Sequence, residues 1–420
     1  MKKQRTNQSR LITAGALFSL AVTGATAVRA DDSAPVDARV AQLQKENQAM
    51  QQRLAALESM AQKEGLLPSG DSSSKPVTAL SDITISGFAT ASYFHDSSEP
   101  KGGNSPGYLW NRQNDNFTLN KVKLTLASAP VERSGENFSA GFRASLIYGQ
   151  DAPIVNSGSK ITGFADVREG YVEMNVPIGT GLNVKAGELI SLLNYESGDG
   201  GAANNNFSQG FQWFYTGNGP SAGVQLGYNL TDSVDVKVRV DNGIYAGPVD
   251  SNTSKNVMGA IGVKPTDKIW LSFIGFGGRE SGGLSLWGAS MLGGWQATEA
   301  LSFGTELDYF SFHNVASGHA PVYSMGLWTA YDFTKQVGLA LRAEFLSDSH
   351  GVDFAKGDPL GFQNIGGQDL SSLALTLNYK PLPNLKIQPE VRYDHTSNAT
   401  GFSNGKENRI IFGAGATYLF

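Results

Sequence analysis

The chain has 420 residues, a formal net charge of −5 and no cysteine. The missing cysteine excludes a disulfide framework, a thiolate metal site and a cysteine nucleophile, and the acidic balance argues against nucleic acid as a partner. A content of 50 glycines with 10% aromatic residues and few long apolar runs fits a twisted all-β chain with polar loops.

The first thirty residues have the form of an export signal. Lys2, Lys3, Arg5 and Arg10 precede an apolar run from Leu11 to about Val28, and Ala25-Thr26-Ala27 and Val28-Arg29-Ala30 both offer small residues for cleavage. The rival reading, a retained membrane anchor, is weakened by Thr13, Gly15, Ser19, Thr23, Gly24 and Thr26 within the run. Removing the segment removes basic residues and no acidic one, so the exported chain is more acidic still. From Val36 the spacing Val36, Val40, Leu43, Asn47, Met50, Leu54, Leu57, Ala61 alternates steps of four and three, the heptad of a coiled coil. Asn47 at a core position trades stability for register, as in a self-associating stalk; the alternative is an amphipathic helix packed on another partner. Gly65 and Pro68 end the helix, and the Ser/Gly/Pro-rich stretch to Pro76 is a linker. The expected division is therefore a signal at 1–30, a coiled-coil helix at 34–64, a linker at 65–81 and a barrel at 82–420.

After the signal no segment has the ~18 consecutive apolar residues of a transmembrane helix. Instead, period-two segments recur from Asp82 to the end, each about as long as a tilted membrane-spanning strand. In the clearest, Val234, Val236, Val238 and Val240 alternate with Asp235, Lys237, Arg239 and Asp241, so one face meets an apolar medium and the other a polar one. Leu385, Ile387, Pro389, Val391 and Tyr393 likewise oppose Lys386, Gln388, Glu390, Arg392 and Asp394, with Pro389 discordant because it lacks a ladder donor. Sixteen strands are expected, at 82–94, 116–128, 136–148, 165–177, 182–190, 220–230, 234–245, 255–263, 268–277, 284–297, 301–312, 322–332, 337–348, 370–380, 385–395 and 408–420.

The connections sort by parity. Tight turns such as 231–233 and 298–300 alternate with links such as 95–115, 191–219 and 349–369, and among the outer links only 278–283 is short. A soluble two-sheet protein has no reason for such sorting, whereas a bacterial transmembrane antiparallel β-barrel has short periplasmic turns and longer external loops. Phe412, Ala414, Ala416, Tyr418 and Phe420 alternate on one face of the last strand, and Phe420 resembles the terminal aromatic that marks outer-membrane barrels for assembly.

With these strands placed, Ile85-Ser86-Gly87-Phe88, the stretch Leu119 to Leu126, the stretch Val167 to Glu173, and Gly223 to Tyr228 make residues 82–420 similar to the OmpL-like β-barrel porin family and, more broadly, to the sixteen-stranded general porins. The resemblance implies an outer-membrane location in contact with lipid, passive diffusion of small hydrophilic solutes, and homotrimers. The coiled coil departs from the plainest porin pattern and suggests a periplasmic or cell-wall partner.

No catalytic constellation is visible. His95, His313, His319, His350 and His395 fall at strand tops or in outer links and lack metal-ligand spacing. In Gly275-Phe276-Gly277-Gly278 the third glycine of a dinucleotide fingerprint is replaced by Glu280, so no cofactor is expected. The functional signal is a charged lumen. By strand parity Lys121, Lys123, Arg143, Lys185, Lys237 and Arg239 point inward, as do Arg342 and Arg392. The acidic counterparts are Asp235, Glu306, Asp308, Glu344 and Glu390, the later ones expected to face the early basic wall across the pore.

The link 191–219 is the longest and too aromatic for a freely solvated loop. It joins the fifth and sixth strands, as the inward-folded constriction loop of general porins does. Phe207, Phe211, Trp213, Phe214 and Tyr215 are its expected anchors, and Glu196 and Asp199 are expected to face Arg143 and Arg239. The same rings also fit a sugar-selective channel, by stacking on solute faces, or a contact between subunits beneath an external cap. A non-conducting anchor or adhesin is the remaining class, and bilayer conductance separates it from the channels.

Overall fold

The structure is a computed structural model that describes residue 42, residues 44–45 and 48–49, and residues 83–420 except 108–109, 153–164, 218, 245, 247–248, 251, 281–282, 314–317, 352–366 and 399–400. The chain divides into two compact units, Met1–Thr78 and Ala79–Phe420. In the first, Gln42, Gln44, Lys45, Gln48 and Ala49 are helical and exposed. The expected signal, the heptad core positions and the linker lie outside the described residues.

The second unit is a closed antiparallel barrel of sixteen strands in sequence order, sealed where the first strand pairs with the last. These are β1 (Ile83–Asp96), β2 (Thr118–Ser128), β3 (Ser139–Tyr148), β4 (Ala165–Val176), β5 (Leu182–Leu189), β6 (Ser221–Thr231), β7 (Val234–Asp241) and β8 (Asn256–Thr266). They continue with β9 (Ile269–Arg279), β10 (Ser285–Gln296), β11 (Leu301–His313), β12 (His319–Asp332), β13 (Val337–Asp348), β14 (Gln368–Leu382), β15 (Leu385–Thr396) and β16 (Asn408–Leu419). Every expected strand is present. The main differences are that β8 and β14 run further into their hairpins and that β7 ends sooner, at Asp241.

Side-chain alternation is inside out relative to a soluble protein. In β7, Val238 and Val240 are 50% and 44% exposed, whereas Arg239 and Asp241 are 3% and 1% exposed. The same inversion holds along β13 and β15, whose outward Leu341, Phe345, Val391 and Tyr393 are exposed while inward Arg342, Glu344, Arg392 and Asp394 are buried. An apolar outer band is stable only in a hydrocarbon medium, and closure leaves no strand edge unpaired there. Pro389 points outward from β15. The β14–β15 register is continuous up to Thr376↔Glu390 and resumes at Tyr379↔Ile387, and between them Gln388 Nε2 donates to Asn378 Oδ1 at 2.9 Å. A side-chain bond thus spans the stretch where proline has no donor to give.

Candidate functional site

The segment between β5 and β6, residues 190–220, lies against the inward faces of β1, β2, β9 and β11–β16, and an α-helical turn within it, α1 (Phe211–Tyr215), packs on β12 and β13. Its geometry follows from buried charges meeting its backbone. Glu306 Oε2 accepts from Tyr195 N at 2.7 Å, Glu390 Oε2 accepts from Phe207 N at 2.8 Å, and Glu344 Oε1 accepts from Gln212 N at 3.2 Å. In the other sense, Lys386 Nζ donates to Gly201 O at 3.0 Å, Arg392 Nη1 to Gln209 O at 2.8 Å, and Lys121 Nζ to Gly198 O at 3.1 Å. A loop without regular structure leaves many peptide groups unpaired, and ionised side chains on the wall satisfy them with strong, charge-assisted bonds.

Arg342 is the centre of this arrangement. Its Nη1 donates to Glu196 Oε1 at 2.8 Å and to Ser208 O, and its Nε lies 3.0 Å from Glu344 Oε2. Glu196 also accepts from Gly210 N (2.8 Å) and from Trp328 Nε1 (3.3 Å). Asp308 accepts from Ser290, Ser324, Gln212 and Thr216, closing a second polar knot beneath α1.

The five rings expected as anchors divide by role. Phe211 and Tyr215 are buried in an apolar cluster with Phe310, Phe312, Val322, Leu346 and Leu370, and Phe214 packs on its edge. Burying each ring contributes about 1.5–3 kcal/mol. Arg392 lies over the Phe211 ring at 4.6 Å. Phe207 stacks on Phe94 of β1 (5.4 Å, 18°), and Trp213 packs against Trp110 of the β1–β2 link at 4.6 Å. Phe207, Phe211 and Tyr215 are buried and leave no free face for a solute, which weakens the sequence argument for sugar stacking, while Trp213 and Phe214 are half-buried.

Two expectations about charge are corrected. Neither Glu196 nor Asp199 forms an ion pair with Arg143 or Arg239, although Asp199 stands within Coulombic reach of Arg143. Glu196 is held by Arg342, and Asp199 pairs with Lys123 at 2.9 Å. Arg143 instead binds Glu169 at 2.7 Å, and Arg239 binds Gln225 Oε1 at 2.7 Å and Ile190 O at 2.8 Å. Nor do a basic and an acidic wall simply oppose each other across the lumen, because ion pairs form within both arcs, while Glu306, Asp308 and Glu390 are held by neutral donors. Lys185–Glu173 (3.6 Å) and Lys237–Asp235 (2.5 Å) pair on β4–β5 and β7, as Arg342–Glu344 and Arg392–Asp394 do on β13 and β15. Neighbours on one inward face are close enough to exchange charge, whereas the opposite wall is a barrel diameter away.

Burial separates the expected pore charges into two sets. The Arg143, Lys185, Lys237 and Asp235 side chains keep 38%, 23%, 29% and 26% of their surface exposed. Lys121, Lys123, Arg239, Arg342 and Arg392 are buried, as are Glu306, Asp308, Glu344 and Glu390. Above the barrel wall, burial pushes the Asp151 carboxyl up from its ordinary range against the opposing pull of Lys121. At the exposed rim, the hydrogen bond from His95 holds Asp115 down. Among the described residues no group of three or more His, Cys, Asp or Glu is placed to hold a metal ion.

Sequence reading missed Tyr195, Trp270, Trp328 and Asn204–Asn206, all at the inner surface, and placed Lys386 on the polar face of its strand without assigning it a role. For Trp270 and Trp328 the signal was present, since they share the inward parity of Ile274 on β9 and Ser324 on β12.

Phe420 N and O both pair with Gly87, at 3.0 and 2.8 Å, at the β1–β16 seam.

Residues 82–420 match the family described as "Putative beta-barrel porin-2, OmpL-like". Among solved structures, the chain is similar to the anion-selective porin from Comamonas acidovorans (TM-score 0.53, 11% identity, covering 80% of this chain and 99% of that one). It is similar to the outer membrane channel DcaP of Acinetobacter baumannii (TM-score 0.53, 14% identity, 80% and 97% covered). It is also similar to the trimer form of OmpT, an outer membrane protein of Vibrio cholerae (TM-score 0.51, 11% identity, 80% and 99% covered). At these identities the likeness is one of fold. No curated protein matches the chain.

Proposed function

The chain belongs to the OmpL-like β-barrel porin family, and from that premise we propose that residues 191–219 form the sieve of its pore, with the β3–β7 arc as the wetted wall. The protein is a channel of the bacterial outer membrane through which small hydrophilic solutes diffuse passively. A sixteen-stranded barrel encloses an aqueous channel wider than such solutes, so selection by size needs a narrowing element. The observation that carries the reading is the unequal burial of inward charges. Those under residues 191–219 are dehydrated clamps, whereas Arg143, Lys185, Lys237 and Asp235 keep water contact and are the groups a passing ion meets. Replacing Asp199–Thr216 with a short Gly-Ser link should raise single-channel conductance and admit larger solutes. Unchanged conductance in a correctly folded shortened barrel would overturn the assignment.

The proposal extends to assembly. Residues 1–30 act as an export signal, 34–64 as a periplasmic coiled coil joined by the 65–81 linker, and three copies associate. The trimer form of the Vibrio cholerae protein and the heptad spacing around Asn47 support this. Replacing Leu43, Leu54 and Leu57 with Lys should dissociate the oligomer into β-rich monomers on detergent size analysis. An unchanged mass would assign the helix to another partner, such as the cell wall. Phe420 serves as the assembly signal of the last strand, supported by its pairing with Gly87 at the seam.

A further inference from the structure

One level row crosses four strands: Trp270 of β9 pairs with Gly294 of β10, Gly294 with Gly304 of β11, and Gly304 with Trp328 of β12. All four residues have inward parity. The ring of Tyr195 lies over Gly304 and the Trp270 indole over Gly294, the Tyr195 ring being nearly parallel to Trp270 (centroids 6.1 Å, 7°) and stacked on Trp328 (4.6 Å, 29°). The glycines make this possible, because a Cβ on Gly304 would stand 2.1 Å from Tyr195 Cζ and one on Gly294 would stand 2.2 Å from Trp270 Nε1.

Beside these rings is a cavity of about 290 Å³, bounded by Ser302 and Ala330 on the wall and by Asn204–Asn206 of the loop. Trp328 is 8% exposed, but Trp270, which lines the cavity, keeps 37% of its surface exposed. The one ionic side chain at the cavity, Glu196, has both oxygens engaged, by Arg342 and Trp328 on one and by Gly210 on the other. Among the described residues the Asn205 amide and the Ser302 hydroxyl have no hydrogen-bond partner, and Asn205 is exposed. An open aromatic face beside uncharged donors and acceptors, without uncommitted charge, suits a neutral ring with an apolar C–H face and hydroxyls on its edge. The volume is at the small end of ligand pockets, enough for one such ring.

We infer that this cavity is a binding station for one ring of a neutral saccharide, with Trp270 as stacking platform and Asn205 and Ser302 as hydrogen-bonding groups. The inference rests on the channel reading, since a solute reaches the cavity through the lumen. It differs from stacking on Phe207 to Tyr215, whose rings are used in packing.

Full-length protein in planar bilayers, titrated with maltose, tests the inference. Open-channel current should fall saturably. Trp270→Ala should raise the half-blocking concentration about tenfold, the worth of one aromatic contact, Asn205→Ala should raise it less, and Trp270→Phe should restore part of the loss. A fall linear in maltose and identical in all variants, as from viscosity alone, would overturn the station, as would a saturable block indifferent to Trp270→Ala. Block by indole without block by maltose would overturn the saccharide class. Wild-type protein without conductance steps would instead overturn the channel reading. Tryptophan fluorescence of the same detergent-solubilised protein, titrated with maltose, would then decide the station independently: a saturable change lost in Trp270→Ala supports it, and none overturns it.

Discussion

The β3–β7 arc and the β11–β15 arc carry the same alternation of outward apolar and inward charged residues, yet their charges have different fates. On β3–β7 the ion pairs Arg143–Glu169, Lys185–Glu173 and Lys237–Asp235 join neighbouring positions and keep at least one partner in water. On β11–β15 the carboxylates and guanidinium groups of Glu306, Arg342, Glu344, Glu390 and Arg392 reach past their neighbours to the backbone of residues 195–212. A half-exposed pair in high dielectric is worth little, about 0–1 kcal/mol. A buried cluster is different in kind, because removing one member strands the others without water. The first arrangement suits a wall that solutes and ions must pass, and the second suits a wall that must hold a loop still.

The largest break of this contrast is Arg342→Met. Glu196 and Glu344 then lose their buried cation, at a cost of about 3–5 kcal/mol to loop docking, while the barrel ladders are untouched. Protease cleavage within 199–216 should accelerate and single-channel conductance should rise. If neither changes, the two arcs do not differ as described. A smaller effect is expected at Gly304→Val, where the added side chain displaces the Tyr195 ring at about 1–3 kcal/mol. Tryptophan emission should shift because Trp270 and Trp328 lose their neighbour, and an unshifted spectrum would show that the row accommodates side chains. The smallest effect on stability, within ~1 kcal/mol, is expected at Arg143→Glu on the wet arc. Its signature is a reversal potential displaced towards cations at unchanged heat-modifiability, and an unmoved potential would place the arc outside the conduction path.

These expectations depend on an assignment that periodicity made possible only in part. Sixteen strands were legible because a side-chain period of two is a local property, and Val234–Asp241 shows it without reference to any other segment. The parity of link lengths then set topology, and parity placed Arg342 and Arg143 equally on the inside. It had no means of distinguishing them, since both are arginines mid-strand between apolar neighbours. The partners of Glu196 were misjudged for the same reason, as nothing local to an irregular loop encodes which of several inward arginines it meets.

By itself, then, the sequence determined the strand count, the inward and outward faces, the membrane-facing band and the inner charges, because each depends on neighbours one or two residues apart. Only the tertiary structure decided which charges became dry clamps and which stayed wet, and that Trp270, Gly294, Gly304 and Trp328 form one row. Register across four strands aligns residues from Trp270 to Trp328, and the path of residues 190–220 joins positions more than a hundred residues apart, as Tyr195 and Glu306 do. Burial, and with it the strength of every charge interaction, is a property of that meeting rather than of either segment.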